Sequence, residues 1–464
     1  MPGYLKRIAA ATIIVTGALA SAAFAAPAPG RFVAVSDIHF DPFEPPGLAR
    51  ALAGIAPSEW LARFAALPPG PASQYGRDTN HVLLSAALAM LRETGADADF
   101  AIYGGDLLSH DFEEDAARAL GVAVDSREQR DFAAATSIFV AEALGDAFPG
   151  NPVFFALGNN DSDCGDYEIE PGGSYLAALA GTVRRLAGPE RVAADFDTTF
   201  PAGGYYAAAH PTVPGTLIVV INDILWSQRY VDACGSGGGA AGQAQMDWLA
   251  ATLAAQAEAG GRVWLVHHIP WGIDPYATEH ARADTCRAKV VPLLADTYAE
   301  GFLGLVREHA AIIDVSLSGH VHTDDYRLLL DDAGRPLQAD KVIPAISPVY
   351  GQNPAFQVFT YDRDSGMPTD FAAIRLANLP ELGPAEAEWV RAYVFSQAYG
   401  VPGYSPEGVA TLWNGLGQGG RIRDAYADNY NSGHGALASA SLDGYACAVG
   451  YTDPSGYAAC YCGE

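Results

Sequence analysis

The sequence predicts an α/β fold, and three observations carry that prediction. Short apolar runs rich in Val, Ile, Phe and Tyr recur along the chain, each too brief to be a helix. Longer Ala-rich stretches with helical spacing separate them. The runs end in polar residues, as strands do when their carboxyl ends border a reactive cleft. Together these features argue for a sandwich or a largely parallel sheet with helices packed on it.

Taken in order, residues 1–25 read as a cleaved signal peptide. Lys6 and Arg7 make a short basic start, residues 8–19 are largely apolar, and Ala23 and Ala25 satisfy an A-x-A cleavage pattern. Strands are expected at 32–36, 100–103, 153–157, 217–221, 263–266 and 312–317. Helices are expected at 82–93 and 132–144, on apolar spacing. Residues 32–362 form the main domain. Residues 363–464 read as a smaller helical, cysteine-containing extension. It is helical at 384–398, with Pro384 at the favoured first position, helical again at 406–415, and irregular from Asn429 onward. No later run reaches the ~18 apolar residues of a membrane span. The expectation is a soluble, exported protein, periplasmic or extracellular, with no stable membrane anchor.

Composition narrows the function. Of 464 residues, half are hydrophobic and 17% charged, so the chain can bury a core and is not a solvated disordered polymer. The net charge of −27 becomes −29 once Lys6 and Arg7 leave. Such a chain has no diffuse attraction for nucleic acid polymers or anionic lipid, and neither is expected as a partner. Six cysteines suit an oxidising compartment. Cys447, Cys460 and Cys462 crowd the tail, so if all six pair, at least one bridge must leave it. Cys164, Cys234 and Cys286 lie in loop-like segments, and structural stapling is the expected role of all six.

The chemistry concentrates at the strand ends. After the first strand comes Asp37-Ile38-His39, and after the second Gly104-Gly105-Asp106, with His110 four residues on. After the third comes Gly158-Asn159-Asn160-Asp161. The fifth ends in His267-His268-Ile269-Pro270 and the sixth in Gly319-His320-Val321-His322. Singly these motifs are weak, and their shared position and order carry the argument. Carboxylates, imidazoles and an amide oxygen make a mixed oxygen and nitrogen site suited to zinc, iron or manganese. Two such ions can clamp the attacking and leaving oxygens of a displacement at phosphorus, with Asp106 the central candidate to bridge them. On an extended strand end the period of two would point both members of D-x-H, and both of H-x-H, to one side. Asp161 and Asp223 read as turn or supporting groups. Trp226, Trp271, Tyr276 and Tyr350 follow strand ends and fit core packing better than a pocket lining.

This order of motifs resembles the calcineurin-like metallophosphoesterase superfamily, whose series is D-x-H, G-D, G-N-H, H and G-H-x-H. Within it the chain looks like the acid sphingomyelinase-like phosphodiesterases, on Ser109-His110-Asp111, on His268-Ile269-Pro270 and on the segment SPVYGQNPAFQVFTYD. The resemblance implies a metallophosphoesterase-like β-sandwich flanked by helices, with a small C-terminal helical subdomain. It implies two divalent ions, zinc first. One would be held by Asp37, His39, Asp106 and His322, and the other by Asp106, Asn159, His268 and His320. His268 is preferred to His267 because the family's ligand precedes an x-Pro step. The chain departs from the pattern at Asn160, where the superfamily usually has His. Asn cannot deliver a proton, and His110 matches a second subfamily His near the leaving group. The implied roles are His110 as acid and Asn160 as a hydrogen-bond donor to a phosphoryl oxygen. The implied function is hydrolysis of small-molecule phosphodiesters of nucleotide or choline-phosphate type. Sphingomyelin ranks lower, because no cysteine-rich lipid-presenting segment precedes Phe32. The alternatives are a nonspecific phosphomonoesterase or nucleotidase, a polyphosphatase, or a protein that binds phosphate esters without turnover.

Overall fold

The computed structural model describes residues 28–231, 238–383 and 385–463. The expected signal peptide, Cys234 and Pro384 lie outside the described residues. Twelve strands occur among the described residues: β1 (Gly30–Val35), β2 (Phe100–Tyr103), β3 (Val153–Phe155), β4 (Tyr206–Ala209), β5 (Thr216–Val220), β6 (Arg262–Val266), β7 (Ile313–Ser318), β8 (Asp325–Leu330), β9 (Pro336–Val342), β10 (Ala355–Tyr361), β11 (Pro368–Leu376) and β12 (Trp389–Val394). They form two six-stranded sheets, in the orders β12-β11-β10-β1-β2-β3 and β4-β5-β6-β7-β9-β8.

Parallel strands form one side of the first sheet, β1, β2 and β3, and the middle of the second, β5, β6, β7 and β9. β1 pairs β2 with Phe32 opposite Phe100, and β5, β6 and β7 run side by side in the same sense. In the first sheet β12, β11, β10 and β1 are successively antiparallel, β10 pairing β1 through Gly30 and Tyr361, and in the second the outer strands β4 and β8 are antiparallel to their neighbours. The sheets pack face to face, the Phe32 ring lying 4.9 Å and the Phe100 ring 5.6 Å from Trp264. Central strands buried on both faces carry continuous apolar runs, which is why the six expected strands stand out in the sequence. Helices cover the outer faces. His81–Gly95 starts where the Asn80 side chain accepts from the Leu83 N–H, and Arg127–Ala147 where Ser126 accepts from Gln129. The expected α/β sandwich is therefore the observed architecture.

The C-terminal part departs from the expected helical extension in three places, the first being β11, a nine-residue strand that pairs with β10 inside the first sheet. Within 384–398, expected to be helical, the chain forms the edge strand β12 followed by one short helix, Phe395–Tyr399. Trp389, Val390, Tyr393 and Val394 are strand formers, and pairing with β11 outweighs the local helical content of the preceding Ala and Glu. The tail expected to be irregular contains the helices Leu442–Gly450 and Pro454–Cys462. Asp453 caps the second by accepting from the Gly456 N–H at 2.8 Å. Bridges Cys447–Cys460 and Cys286–Cys462 brace the pair, and the second leaves the tail as the odd count requires. Cys164 is disulfide-bonded as well.

Candidate metal centre

β1, β2, β3, β6 and β7 all release their chains at one rim of the sandwich, and backbone hydrogen bonds tie the emerging loops together. The Asp37 N–H donates to the Gly105 carbonyl at 2.9 Å, His39 N–H to Asp106 at 3.0 Å, and Gly319 N–H to His268 at 2.9 Å. The loops do not continue as extended strands. Asp37, His39, Asp106, His320 and His322 have φ of 50°, 45°, 65°, 70° and 64°. The side chains of D-x-H and H-x-H converge because each ligand residue sits in the left-handed region, not through the strand period. Non-glycine residues avoid that region, and its concentration at five donors marks strain held for function. Two glycines make room: Gly105 has φ 108°, and a Cβ on Gly319 would collide with the Ser36 hydroxyl.

The donor atoms fall into two sets that share one carboxylate oxygen. Asp106 Oδ2 lies 3.3 Å from His39 Nε2 and 3.2 Å from His268 Nε2. In the first set His39 Nε2 is 3.0 Å from His322 Nε2, which is 3.5 Å from Asp37 Oδ1. In the second, Asn159 Oδ1 is 3.0 Å from His268 Nε2 and 2.8 Å from His320 Nδ1. Asp37, His39, Asp106 and His322 bring their ligand atoms within 4.8 Å of one another, as do Asp106, His268 and His320. Backbone carbonyls fix the rings: His39 Nδ1 donates to Leu108 at 2.8 Å and His268 Nδ1 to Gly104 at 2.7 Å, leaving each Nε2 for the centre. The Asn159 amide nitrogen donates to Asp166 at 2.6 Å, which aims its oxygen at the same space.

This donor set fits two divalent cations, and its titration points the same way. Burial would push His39 and His268 down, but Asp106 and other nearby carboxylates lift them to about 9 and about 10. Asp106 resists its own burial and is held well below the usual carboxylate range by His268 and His39. His320 falls to about 3 through burial and the charge on His268, and His322 falls through burial and His39. Without ions, protons on His39 and His268 supply the positive charge the carboxylates demand.

His110 lies at the first set, its ring stacked 4.3 Å from His39. Its Nδ1 donates to Asp78 at 3.0 Å and its Nε2 meets the Tyr350 hydroxyl at 3.2 Å. A His110 nitrogen also falls within ligand reach of those of His39 and His322. Asn160 donates from its backbone N–H to Asp106 Oδ1 at 2.7 Å and from its side chain to Oδ2 at 3.3 Å. Asp161 is a clamp, accepting from the N–H groups of Asp106, Leu107 and Gly158. Trp226 and Trp271 are core residues, whereas Tyr276 and Tyr350 are exposed. The supporting roles of Asp78, Asp166 and Gln352 escaped the sequence reading: Asp78 and Gln352 meet His110 and His322 some thirty residues away, and Asp166 meets Asn159 from outside its motif.

Donor sets that share a carboxylate at the mouth of such a sandwich are the equipment of a metal-dependent phosphoric ester hydrolase. Residues 30–324 match the family model described as calcineurin-like phosphoesterase, and the chain belongs to that family. It is similar to the cyclic GMP-AMP phosphodiesterase of Mus musculus, 26% identical over 83% of this chain and 80% of the relative. It is also similar to the acid sphingomyelinase-like phosphodiesterase 3b of Homo sapiens, 26% identical over 93% of this chain and 90% of the relative. A solved dimetal phosphatase from Danio rerio aligns over 78% of this chain and 98% of its own, with 14% identity and a TM-score of 0.40. No helix among the described residues is long and apolar enough to cross a membrane.

Proposed function

We propose that the protein is an exported phosphodiesterase that cleaves small phosphoric diesters of nucleotide or choline-phosphate type, in the periplasm or outside the cell. Residues 1–25 act as its signal peptide, residues 32–362 carry the chemistry, and residues 363–464 brace them. The observation that carries this reading is the pair of donor sets sharing Asp106, with a carboxylate-held imidazole on one flank. The family and both curated relatives support the reaction class. Zinc is the proposed metal in both places, with iron or manganese as alternatives.

When bound, two such ions neutralise phosphoryl charge and make a water nucleophilic near neutral pH. Asp37, His39, Asp106 and His322 hold one, and Asp106, Asn159, His268 and His320 the other. The chain's own residues do the rest. Asp78 keeps the proton of His110 on Nδ1 and orients the ring, so that Nε2 faces the cleft. In the protonated state His110 gives its Nε2 proton to the leaving oxygen as the bond from that oxygen to phosphorus breaks and the water oxygen bonds to phosphorus. Tyr350 holds Nε2 until a substrate displaces its hydroxyl. The Asn160 amide beside Asp106 donates to a phosphoryl oxygen.

The test is turnover by purified protein of bis(p-nitrophenyl) phosphate, p-nitrophenyl phosphate and a choline-phosphate ester, with metal content measured on the same sample. Faster diester than monoester cleavage with about two ions per chain is expected. Faster monoester cleavage would replace the diesterase reading, and no turnover with two ions bound would leave a binding protein.

A further inference from the structure

Behind the second donor set lies a buried polar network that neither the ligand assignment nor the proton donor uses. His267 precedes His268, and neighbouring residues of an extended segment face opposite ways. His268 points into the cleft, so His267 points back into the second sheet, where it is fully buried. Its Nδ1 lies 2.9 Å from the Ile269 carbonyl and 3.1 Å from Asp223 Oδ2. Its Nε2 lies 3.1 Å from Ser316 Oγ and 3.2 Å from Asp340 Oδ1. Asp223, just after β5, accepts from the backbone N–H of His268 at 3.3 Å and of Ile269 at 3.1 Å. Asp340, on β9, accepts from Ser316 at 2.8 Å and from Ser318 at 2.7 Å. Ser318 is the last residue of β7, directly before Gly319 and His320.

The network thus spans four adjacent strands and grips the chain just before each imidazole of the second set. Burying two carboxylates and an imidazole carries a desolvation cost that apolar side chains of like volume would not incur. Directional bonds to fixed partners supply what apolar packing lacks, a defined register between strand ends. We infer that His267 is a positioning residue, which with Asp223, Asp340 and Ser318 locks the ends of β6 and β7 so that His268 and His320 meet one metal ion. This rests on the two-metal reading above.

The experiment is calorimetric titration of zinc into the metal-free protein, wild type against His267→Ala and Ser318→Ala, with thermal unfolding followed in parallel. The expected result is two tight sites in wild type, and in each variant one site unchanged and one weakened about 10- to 100-fold. Asn159→Ala, which removes a donor of the second set alone, should weaken that same site and so identify it. Unchanged affinities in a folded variant overturn the inference, and so does equal weakening of both sites alongside a lower melting temperature. If His267→Ala does not fold, Ser318→Ala, which deletes a single hydroxyl, decides alone. Fewer than two ions in wild type would overturn the two-metal reading and the inference together.

Discussion

The two halves of the metal centre share Asp106 and are alike in their donors, yet their surroundings are opposite. Each half pairs one imidazole that holds a proton in the absence of metal, His39 or His268, with one that does not, His322 or His320. Around His39 and His322 stand His110, Asp78 and the exposed Tyr350, an open flank with a titratable ring facing solvent. Behind His268 lies the closed network of His267, Asp223 and Asp340, without solvent contact. On the proposed reading this is a division of labour: the His110 flank moves the proton, while the buried network behind His268 holds the geometry in which that proton counts.

The change that strikes both halves at once has the largest expected effect. Asp106→Asn removes the shared carboxylate charge, and bound metal should fall below one ion per chain by elemental analysis. Losing several kcal/mol of metal-supplied stabilisation corresponds to about 10³-fold or more in turnover. A variant that retained both ions and most activity would show that the halves do not depend on Asp106.

Next in size is His110→Ala, which touches the open half alone. Loss of a general acid costs about 10²-fold or more where the leaving group is a poor one, such as an alkoxide. With p-nitrophenolate, which departs unaided, the loss should stay within about 10-fold. Metal content should remain at two. A loss of metal instead would make His110 a ligand and erase the contrast between the halves. Asp78→Asn should reproduce the same dependence on leaving group at about 10-fold, because it misorients the ring without removing it.

The likeness of the halves has its own signature in protons. At pH 7 His39 and His268 are charged in the metal-free chain, since their values of about 9 and about 10 lie above it. Binding a cation needs their neutral forms, so loading both halves should release about two protons per chain. Apparent zinc affinity should therefore rise with pH until those values are passed. In the metal-free chain the same raised values stabilise the fold fully below pH 6.5, the ordinary value, and that contribution is lost as pH rises through about 9 to 10. Titration in buffers of different ionisation enthalpy counts the protons, and release of none would contradict the electrostatics of both halves.

The smallest effect lies far from the centre and serves as its control. His210 sits among Phe100 and Trp264, where burial depresses it to about 3. Its neutral form is favoured in the fold, so its contribution is fully present above pH 6.5 and drains as pH falls toward 3. His210→Asn keeps an acceptor for the Thr212 and Val213 N–H groups and should flatten acid destabilisation by about 1 kcal/mol between pH 7 and 5.5. Melting curves across that range, with zinc affinity unchanged, are the check.

The two halves were not equally legible in the sequence. The ligand loops could be read because their chemistry is local: each motif follows a strand whose apolar run is unbroken, and its residues have few other reasons to stand together. The left-handed backbone at Asp37, His39, Asp106, His320 and His322 could not be read, since no side chain there advertises positive φ. For His267 the sequence left orienting the site and filling space equally open, because Asp223, Ser316 and Asp340 reach it only through strand pairing. The same holds for Asp78, whose partner His110 is thirty-two residues away. In the C-terminal part, β12 was mistaken for helix because an edge strand is defined by the neighbour it pairs with.

The pairing of β1 with β10 bears on the order in which the site can form as the polypeptide emerges. β1 carries Asp37 and His39 just beyond its end, and it is bounded on one side by β10, with Gly30 opposite Tyr361. The donors themselves run from Asp37 to His322, and Cys286 waits for Cys462. No nascent chain that stops short of His322 holds the full donor set. Divalent ions compete by availability as much as by fit, so on the two-metal reading the pool around the completed chain weighs on which ion it holds.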